Sequence, residues 1–351
     1  MIPTRGYAAT DPKTPLGPFD FKRRDPRPND VLIEVLHCGV CHSDIHQARD
    51  EWGGSIFPMV PGHEVVGTVT SVGADVSRWR VGETVGVGVF VDSCRKCEAC
   101  LAGEEQYCLE GMTVTYNGLE RDGKTPTYGG YSERIVVDES YLLRIPDGIP
   151  LDGAAPLLCA GITTYSPIRH FGGDQARDAA VLGLGGLGHM GVKFLKAMGA
   201  RVTVLSHSPG KQDDALRLGA DDFVATADDD VFEKNAGRFD FILDTVSASH
   251  DYNAYLRLLR RDGTMVIVGL PDPSTLEPGA LINKRRRLAG SVIGGIRETQ
   301  EMLDFCAEHG IASDIETIRI QDVNEAYERT MRSDVRYRFV IDLASLREGE
   351  C

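Results

Sequence analysis

Ala179-Ala-Val-Leu-Gly183-Leu-Gly185-Gly186-Leu187-Gly188 is an apolar run that closes on a G-x-G-x-x-G turn. The run reads as a buried strand, and residues 189–198 behind the turn read as a helix. Glycines at such a junction allow a tight turn and a close backbone approach, and the helix N-terminus then faces a pyrophosphate. In a chain with 39 glycines the bare pattern can arise by chance, and the strand–turn–helix setting is what gives it meaning. Working outward, apolar strands are expected at 201–205, 222–225, 239–244, 263–269 and 288–293. Helices are expected at 211–218 and 252–259, and residues 151–161 read as a helix that opens this half of the chain. Strands with continuous apolar cores alternating with helices imply a parallel sheet covered on both faces.

The end of the strand after the glycines sets the cofactor. An Asp or Glu there would bond a ribose 2′-hydroxyl and repel a 2′-phosphate. This chain has Ser206, His207 and Ser208 there, with Lys211 close behind. Small hydroxyls and a nearby cation suit a 2′-phosphate, so NADP(H) is the expected cofactor. Asp213 and Asp214 fall further along, on the surface of the next helix.

Before residue 150 the texture differs. Short β-type runs at 31–36, 67–72, 84–90 and 134–138 are broken by Gly and Pro, which predicts a twisted, barrel-like β domain. In its midst Cys94, Cys97, Cys100 and Cys108 follow the spacing C-x2-C-x2-C-x7-C. Four thiolates so spaced can close a tetrahedron around zinc and leave no position for a substrate, which makes a structural site. Residues 92–110 are otherwise polar and charged, and a metal staple explains how they would be ordered. A pair of disulfides is the other reading, and it requires an oxidising compartment. The first residues carry no apolar signal segment, and the nine cysteines fit a reducing cytoplasm. No run is long and apolar enough for a membrane span. A net charge of −14 opposes nucleic acid and anionic membrane surfaces, and the run Lys284-Arg285-Arg286-Arg287 is expected to be a solvated patch. Amphipathic helices at 297–309 and 323–332 and a strand at 338–342 form a tail expected to return to the first domain. The domains are therefore drawn as 1–154 with 297–351, and 155–296.

A second set of ligand types is scattered. Cys41 stands in Cys41-His-Ser-Asp-Ile-His46, His63 and Glu64 in Pro61-Gly-His-Glu64, and Cys159 at the start of the second half. Cys, His and Cys, with water in the fourth position, is the pattern of an open, catalytic zinc. Singly they signify little, since a lone cysteine in an apolar run is usually core. Beside a dinucleotide turn and a cysteine quartet they gain weight together. These motifs, with Tyr128-Gly-Gly-Tyr131, Cys159-Ala-Gly-Ile-Thr-Thr-Tyr165 and Asp334-Val-Arg-Tyr-Arg-Phe339, occur in order along essentially the full chain. The chain resembles the zinc-containing medium-chain alcohol dehydrogenases. It is most similar to their cinnamyl alcohol dehydrogenase-like branch, which includes bacterial aldehyde reductases.

The resemblance implies an α/β architecture, with a GroES-like β-barrel catalytic domain and a Rossmann dinucleotide-binding domain. It implies a catalytic and a structural zinc in each chain, and a homodimer joined through edge strands of the nucleotide domain. Cys41, His63 and Cys159 would hold the catalytic zinc, and Glu64 would be a ligand when the water or substrate position is vacant. Asp44 would orient His63 through its second ring nitrogen. Ser43 and His46 would relay a proton, and His42 is a candidate contact for the cofactor phosphates. Thr163 is expected near the nicotinamide and Arg338 near the pyrophosphate, with Thr245, Val268, Ser291 and Ile293 along the cofactor cleft. Trp52, Val114, Ile293 and Ile296 would wall a substrate pocket in the cleft between the domains. Lignin-forming relatives usually carry a bulky aromatic where this chain has Val114. A broad aldehyde reductase, acting on aromatic and medium-chain aldehydes and the matching primary alcohols, is therefore the leading expectation. An NAD-dependent polyol dehydrogenase should have an acidic residue at the end of the second strand, where this chain has Ser206, His207 and Ser208. A zinc-free quinone reductase should lack both cysteine sets. A non-catalytic binding protein on the same scaffold has no need of complete ligand sets and a relay. Cys38, Cys306 and Cys351 have no assigned role.

Overall fold

The computed structural model describes residues 1–227 and 230–347, so Cys351 lies outside the described residues. The chain forms two compact units. One is Met1–Cys159 with the segment from Gly294 on, and the other is Ala160–Ile293. The first division falls after Cys159, beyond the sequence boundary at 154, and the second falls before Gly294, ahead of the sequence boundary at 296. The first difference has a local cause. Residues 151–161 are not one helix: a turn of helix over Leu151–Ala154 passes into a 3-10 segment, Ala155–Leu158, and a separate helix follows over Ala160–His170. Pro156 has no amide hydrogen to continue an α-ladder, and Cys159 sits at the break with a non-helical φ of −131°.

In the first unit the strand Asp30–Gly39 is the hub. One edge runs antiparallel to Val65–Val72. The other edge is shared, by Arg134–Asp138 along its first half and by Arg338–Asp342 along its last residues. Thr84–Val87 and Leu143–Arg144 continue the sheet on the Val65 side, and Ile315–Arg319 adds a parallel strand beyond Arg338–Asp342. Val31, Ile33 and Val35 alternate with less buried residues, the period-two pattern of a sheet with one buried face. The expected strand at 84–90 is two strands, Thr84–Val87 and Phe90–Asp92, and the second pairs with Thr113–Val114.

The second unit carries six parallel strands in the order Asp222–Ala225, Arg201–Ser206, Asp178–Leu182, Phe239–Asp244, Leu259–Ile267, Arg287–Gly290. All five residues of Asp178–Leu182 are buried, as befits a strand covered on both faces. Strand order reverses at that strand, and ligands of such sheets bind beyond its carboxyl end. The glycine turn starts there. Arg286 departs from the expected solvated patch: its guanidinium donates to the main-chain carbonyls of Leu259, Ala280 and Arg257. Among the described residues no helix is long and apolar enough to cross a membrane.

Candidate active site

Cys41, His63, Glu64 and Cys159 converge in the first unit from three separate stretches of chain. One ligand atom from each lies within 4.8 Å of the others, and all four residues are buried. Cys41 caps the helix His42–Ala48, His63 and Glu64 lead into the strand Val65–Val72, and Cys159 occupies the helix break. Asp44, fully buried, organises the cluster. Its Oδ2 accepts from the Cys41 amide at 2.8 Å and from the Tyr131 hydroxyl at 3.3 Å. Its Oδ1 accepts from the Gly62 amide at 3.2 Å and lies 3.4 Å from His63 Nδ1. With Nδ1 turned to the carboxylate, His63 Nε2 is the nitrogen left for a metal. The Gly130 and Tyr131 amides donate to the carbonyls of Gly62 and Pro61, and the Tyr116 ring stacks on His63 at 5.7 Å, so the imidazole is held from three sides.

Glu64 forms a buried ion pair with Arg338 through Oε1, while Oε2 has no hydrogen-bond partner among the described residues. Gly39 makes room for this carboxylate: a Cβ there would lie 1.9 Å from Glu64 Oε2. Burial pushes the Glu64 carboxyl up to about 7 against the pull of Arg338. The neighbouring Cys159 thiol, with His63 and Arg338, holds the Cys41 thiol well below its ordinary range, and the Cys159 thiol is pushed up in return. Burial alone would depress His63; the Asp44 carboxylate and Cys41 outweigh it and hold the ring well above the usual histidine range. Two thiols, an imidazole and a carboxylate, all buried, are a donor set that fits zinc.

Ser43 and His46 lie on the helix that Cys41 caps. Ser43 Oγ is 3.6 Å from Cys41 Sγ. The His46 ring stacks on Trp52 at 5.0 Å, and its Nδ1 meets the Glu51 carboxylate, which leaves Nε2 toward other partners. His42, the first residue of that helix, is exposed.

The cysteine quartet also gathers, each offering a sulfur within 4.8 Å of the others. All eight described cysteines are free thiols. Main-chain amides point at the sulfurs: Cys94 N at Cys108 Sγ and Cys97 N at Cys94 Sγ, both at 3.3 Å, and Leu109 N at Cys97 Sγ at 3.5 Å. Such amides stabilise thiolates, and the set fits a closed metal site.

In the second unit the glycine turn is shaped for a ligand. Gly183 has a φ of +87°, and a Cβ there would meet Val246 Cγ2 at 2.7 Å. A Cβ on Gly188 would lie 2.1 Å from the Gly183 carbonyl oxygen. Above Gly185, by contrast, there is open space, the gap through which a pyrophosphate can approach the backbone. Gly186 and Leu187 complete the turn, and Leu187 precedes the helix Gly188–Ala197. Ser206 ends its strand and accepts from the Ser208 amide at 3.2 Å, with His207 and Ser208 exposed. Lys211 Nζ donates to the Leu184 carbonyl at 2.9 Å, which ties this cation to the glycine turn itself.

Residues 27–147 match the family description "Alcohol dehydrogenase GroES-like domain", and residues 186–308 match "Zinc-binding dehydrogenase". The chain is 58% identical to the NADP-dependent alcohol dehydrogenase C 1 of Mycolicibacterium smegmatis, over 99% of this chain and 100% of that protein. The chain belongs to the zinc-containing medium-chain alcohol dehydrogenases. Within that family it is 52% identical to the aldehyde reductase YahK of Escherichia coli, over 98% of this chain and 99% of that protein. Among solved structures, a cinnamyl alcohol dehydrogenase from Sorghum bicolor superposes with a TM-score of 0.94 at 48% identity, covering 97% of this chain and 98% of that one. The cinnamyl alcohol dehydrogenase of Helicobacter pylori, solved with NADP(H), gives a TM-score of 0.91 at 40% identity over 98% and 99%. The fold is accordingly GroES-like plus Rossmann, and the chain is an oxidoreductase of the cinnamyl alcohol dehydrogenase-like branch.

Other expected residues of this alcohol dehydrogenase fall as follows. Thr163 is buried in the helix Ala160–His170. Thr245 Oγ1 donates to the Leu182 carbonyl at 2.8 Å, and Val268 and Ser291 follow the ends of the last two parallel strands. Trp52, Val114 and Ile296 lie in the first unit, while Ile293 is buried at the end of the second. Arg338 lies in the first unit, buried against Glu64. Cys38 and Cys306 are both fully buried. Sequence reasoning gave no role to Gly39, Tyr116 or Tyr131, although Tyr131 closes the Tyr-Gly-Gly-Tyr motif and could have been found there.

Proposed function

We propose that this alcohol dehydrogenase interconverts aldehydes and primary alcohols with NADP(H), acting on aromatic and medium-chain aliphatic aldehydes. One zinc is held by Cys41, His63 and Cys159, with Glu64 beside it, and another by the quartet of Cys94, Cys97, Cys100 and Cys108. The observation that carries the reading is the convergence of the Cys41, His63, Glu64 and Cys159 ligand atoms within 4.8 Å, with a Glu64 oxygen left without a partner among the described residues. When bound, zinc supplies Lewis acidity at a substrate oxygen and the reduced nicotinamide supplies hydride. Ser43 gives or takes the proton at that oxygen, and His46, near the surface beside exposed Trp52, exchanges it with solvent. Asp44 keeps the His63 tautomer and the Cys41 backbone in place. In the second unit Gly185 admits the pyrophosphate, and Ser206, Ser208 and Lys211 receive the 2′-phosphate. The relatives named as NADP-dependent alcohol dehydrogenase and aldehyde reductase support the cofactor and the reaction class. A homodimer in a reducing, cytoplasmic compartment completes the proposal, and light scattering would test the assembly.

A steady-state panel tests the reading directly. Aromatic and aliphatic aldehydes, their alcohols and a polyol are assayed with NADPH and NADH side by side. Aromatic and medium-chain aldehydes with NADPH should give the highest kcat/KM. Comparable efficiency with NADH would remove the argument from Ser206 and Lys211, and a preference for the polyol would overturn the substrate class.

A further inference from the structure

The turn that leaves the strand Phe239–Asp244 holds a charge pair that neither the zinc ligands nor the proton relay uses. Asp244 ends the strand and is fully buried. Its Oδ1 accepts from the Val246 amide at 3.1 Å, and its Oδ2 lies 2.9 Å from His250 Nε2. The other ring nitrogen, His250 Nδ1, lies 2.8 Å from the Ala248 carbonyl oxygen. A carbonyl oxygen only accepts, so Nδ1 must carry a hydrogen. Nε2 faces a carboxylate oxygen, so a neutral ring beside ionised Asp244 would set a lone pair against an acceptor whichever tautomer it took. An imidazolium satisfies both contacts at once. The rings of Tyr252 and Tyr255 stand edge-on to it at 4.9 and 5.5 Å. Asp251 adds negative charge nearby, and Asp272 holds the same loop through the Ser249 hydroxyl at 2.9 Å. Burial works against the charge on His250, and the Asp244 carboxylate outweighs it, so the ring titrates above the ordinary histidine value.

The loop so closed, residues 245–250, is the surface on which the glycine turn rests. Val246 and Thr245 are what a Cβ on Gly183 would strike, and Thr245 Oγ1 holds the Leu182 carbonyl. The Asp244 carbonyl also accepts from the Val268 and Gly269 amides, at 2.9 and 3.3 Å. Asp244 thus joins the loop, the glycine turn and the exit of the neighbouring strand. We propose that His250 is a positioning residue for the cofactor: as an imidazolium it clamps residues 245–250 to Asp244, and NADP(H) is held tightly only while that clamp is closed. The inference rests on NADP(H) being the cofactor. A group charged more readily in the folded protein contributes fully below its unfolded value, about 6.5, and loses its contribution as pH rises through the folded value. Cofactor affinity should therefore weaken on the alkaline side.

The test measures NADPH dissociation constants by fluorescence titration on the zinc-loaded protein between about pH 6 and pH 9, from below the ordinary histidine value to well above it. The wild type and His250→Gln are compared, and the His250 ring is titrated by NMR. Any titration of the NADPH 2′-phosphate is common to both proteins. The wild-type Kd should rise roughly tenfold across the range, about 1.4 kcal/mol, with a midpoint matching that of the His250 ring. His250→Gln, neutral throughout, should bind weakly at the acid end and show no such rise. A wild-type pH profile in His250→Gln, or midpoints that disagree, would overturn the proposal while NADPH binding itself stood. Failure of the wild type to bind NADPH at any pH would instead bring down the cofactor assignment.

Discussion

His63 Nδ1 and Asp44 Oδ1 stand 3.4 Å apart at the base of the buried ligand cluster, and the same carboxylate holds the Cys41 amide at 2.8 Å. One side chain therefore holds two of the proposed ligands, the imidazole through its ring and the thiol through its backbone. Asp44→Asn keeps the volume, but its amide nitrogen cannot accept where a carboxylate oxygen did. Partners of this kind are worth about 10–100-fold in metal affinity. Chelator competition followed by elemental analysis should show zinc leaving the Cys41 cluster at that lower affinity while the quartet keeps its metal. Unchanged affinity at the cluster would refute the role given to Asp44.

The two cysteine sets should fail differently. Cys159→Ser should leave a folded protein that retains quartet zinc and has lost turnover. Cys97→Ser should lower the thermal midpoint, because residues between Asp92 and Glu110 form only the short helix Glu98–Ala102 and one 3-10 turn. The quartet should also be acid-labile. The Cys100 and Leu109 backbone amides hold the Cys97 thiol down at about 6. A thiol depressed in the folded state contributes above its unfolded value and loses that contribution as pH falls through the folded one. Zinc binds the thiolates, so its loss takes up protons; colorimetric zinc release should climb as pH falls, and retention of all metal in acid would contradict the site.

Glycines of the same turn separate shape from binding. An added Cβ at Gly188 meets the Gly183 carbonyl at 2.1 Å, whereas at Gly185 it meets nothing within 4 Å. Gly188→Ala should cost about 1–3 kcal/mol in urea unfolding, the usual range for overpacking. Gly185→Ala should stay within about 0.5 kcal/mol of the parent. It should nonetheless weaken NADPH roughly tenfold or more, about 1.4 kcal/mol, by filling the space the pyrophosphate needs. Normal NADPH affinity in Gly185→Ala would show that the cofactor does not approach there.

Ser43→Ala tests the proton path without removing a ligand. Ser43 Oγ lies 3.6 Å from Cys41 Sγ, close enough to reach a substrate oxygen held in the cluster. Losing a positioned acid–base group costs about 100-fold or more in turnover. Stopped-flow rates with zinc content measured in parallel should show that loss with both metals in place.

What the sequence disclosed follows the physics of each element. The central parallel strands were legible because they are buried on both faces and so read as apolar runs, as residues 179–182 do. The ligands were legible as residue types at suggestive spacings. The helix His42–Ala48 was not, since it is short and buries only Asp44, Ile45 and Ala48. Its one local signal was Asp44 placed three residues after Cys41, where its side chain returns to the Cys41 amide. The break at Cys159 had a signal too, in Pro156, but an apolar run across it outweighed the proline. The Arg338 partner was beyond reach, because only the pairing of Arg338–Asp342 with the end of Asp30–Gly39 brings it to the cluster.

The Arg338–Glu64 pair yields the sharpest stability prediction. Both side chains are buried, and the missing Cβ of Gly39 makes the room that the carboxylate occupies beside Arg338. Removing one partner of a buried pair leaves an uncompensated charge and costs about 3–5 kcal/mol. Arg338→Met should therefore be strongly destabilised, but in a pH-dependent way. Burial already lifts the Glu64 carboxyl to about 7 with Arg338 in place, and without that cation it must rise further. An acid whose value is raised on folding costs stability as pH climbs from its unfolded value to its folded one. The wild type should stop losing stability from this source near pH 7, while Arg338→Met goes on losing it above. Urea midpoints compared on the acid and alkaline sides of neutrality should show the gap between the two proteins widening with pH. Glu64→Gln in the Arg338→Met background should close most of it, and a gap that stays constant with pH would mean that Arg338 supports the fold by packing alone.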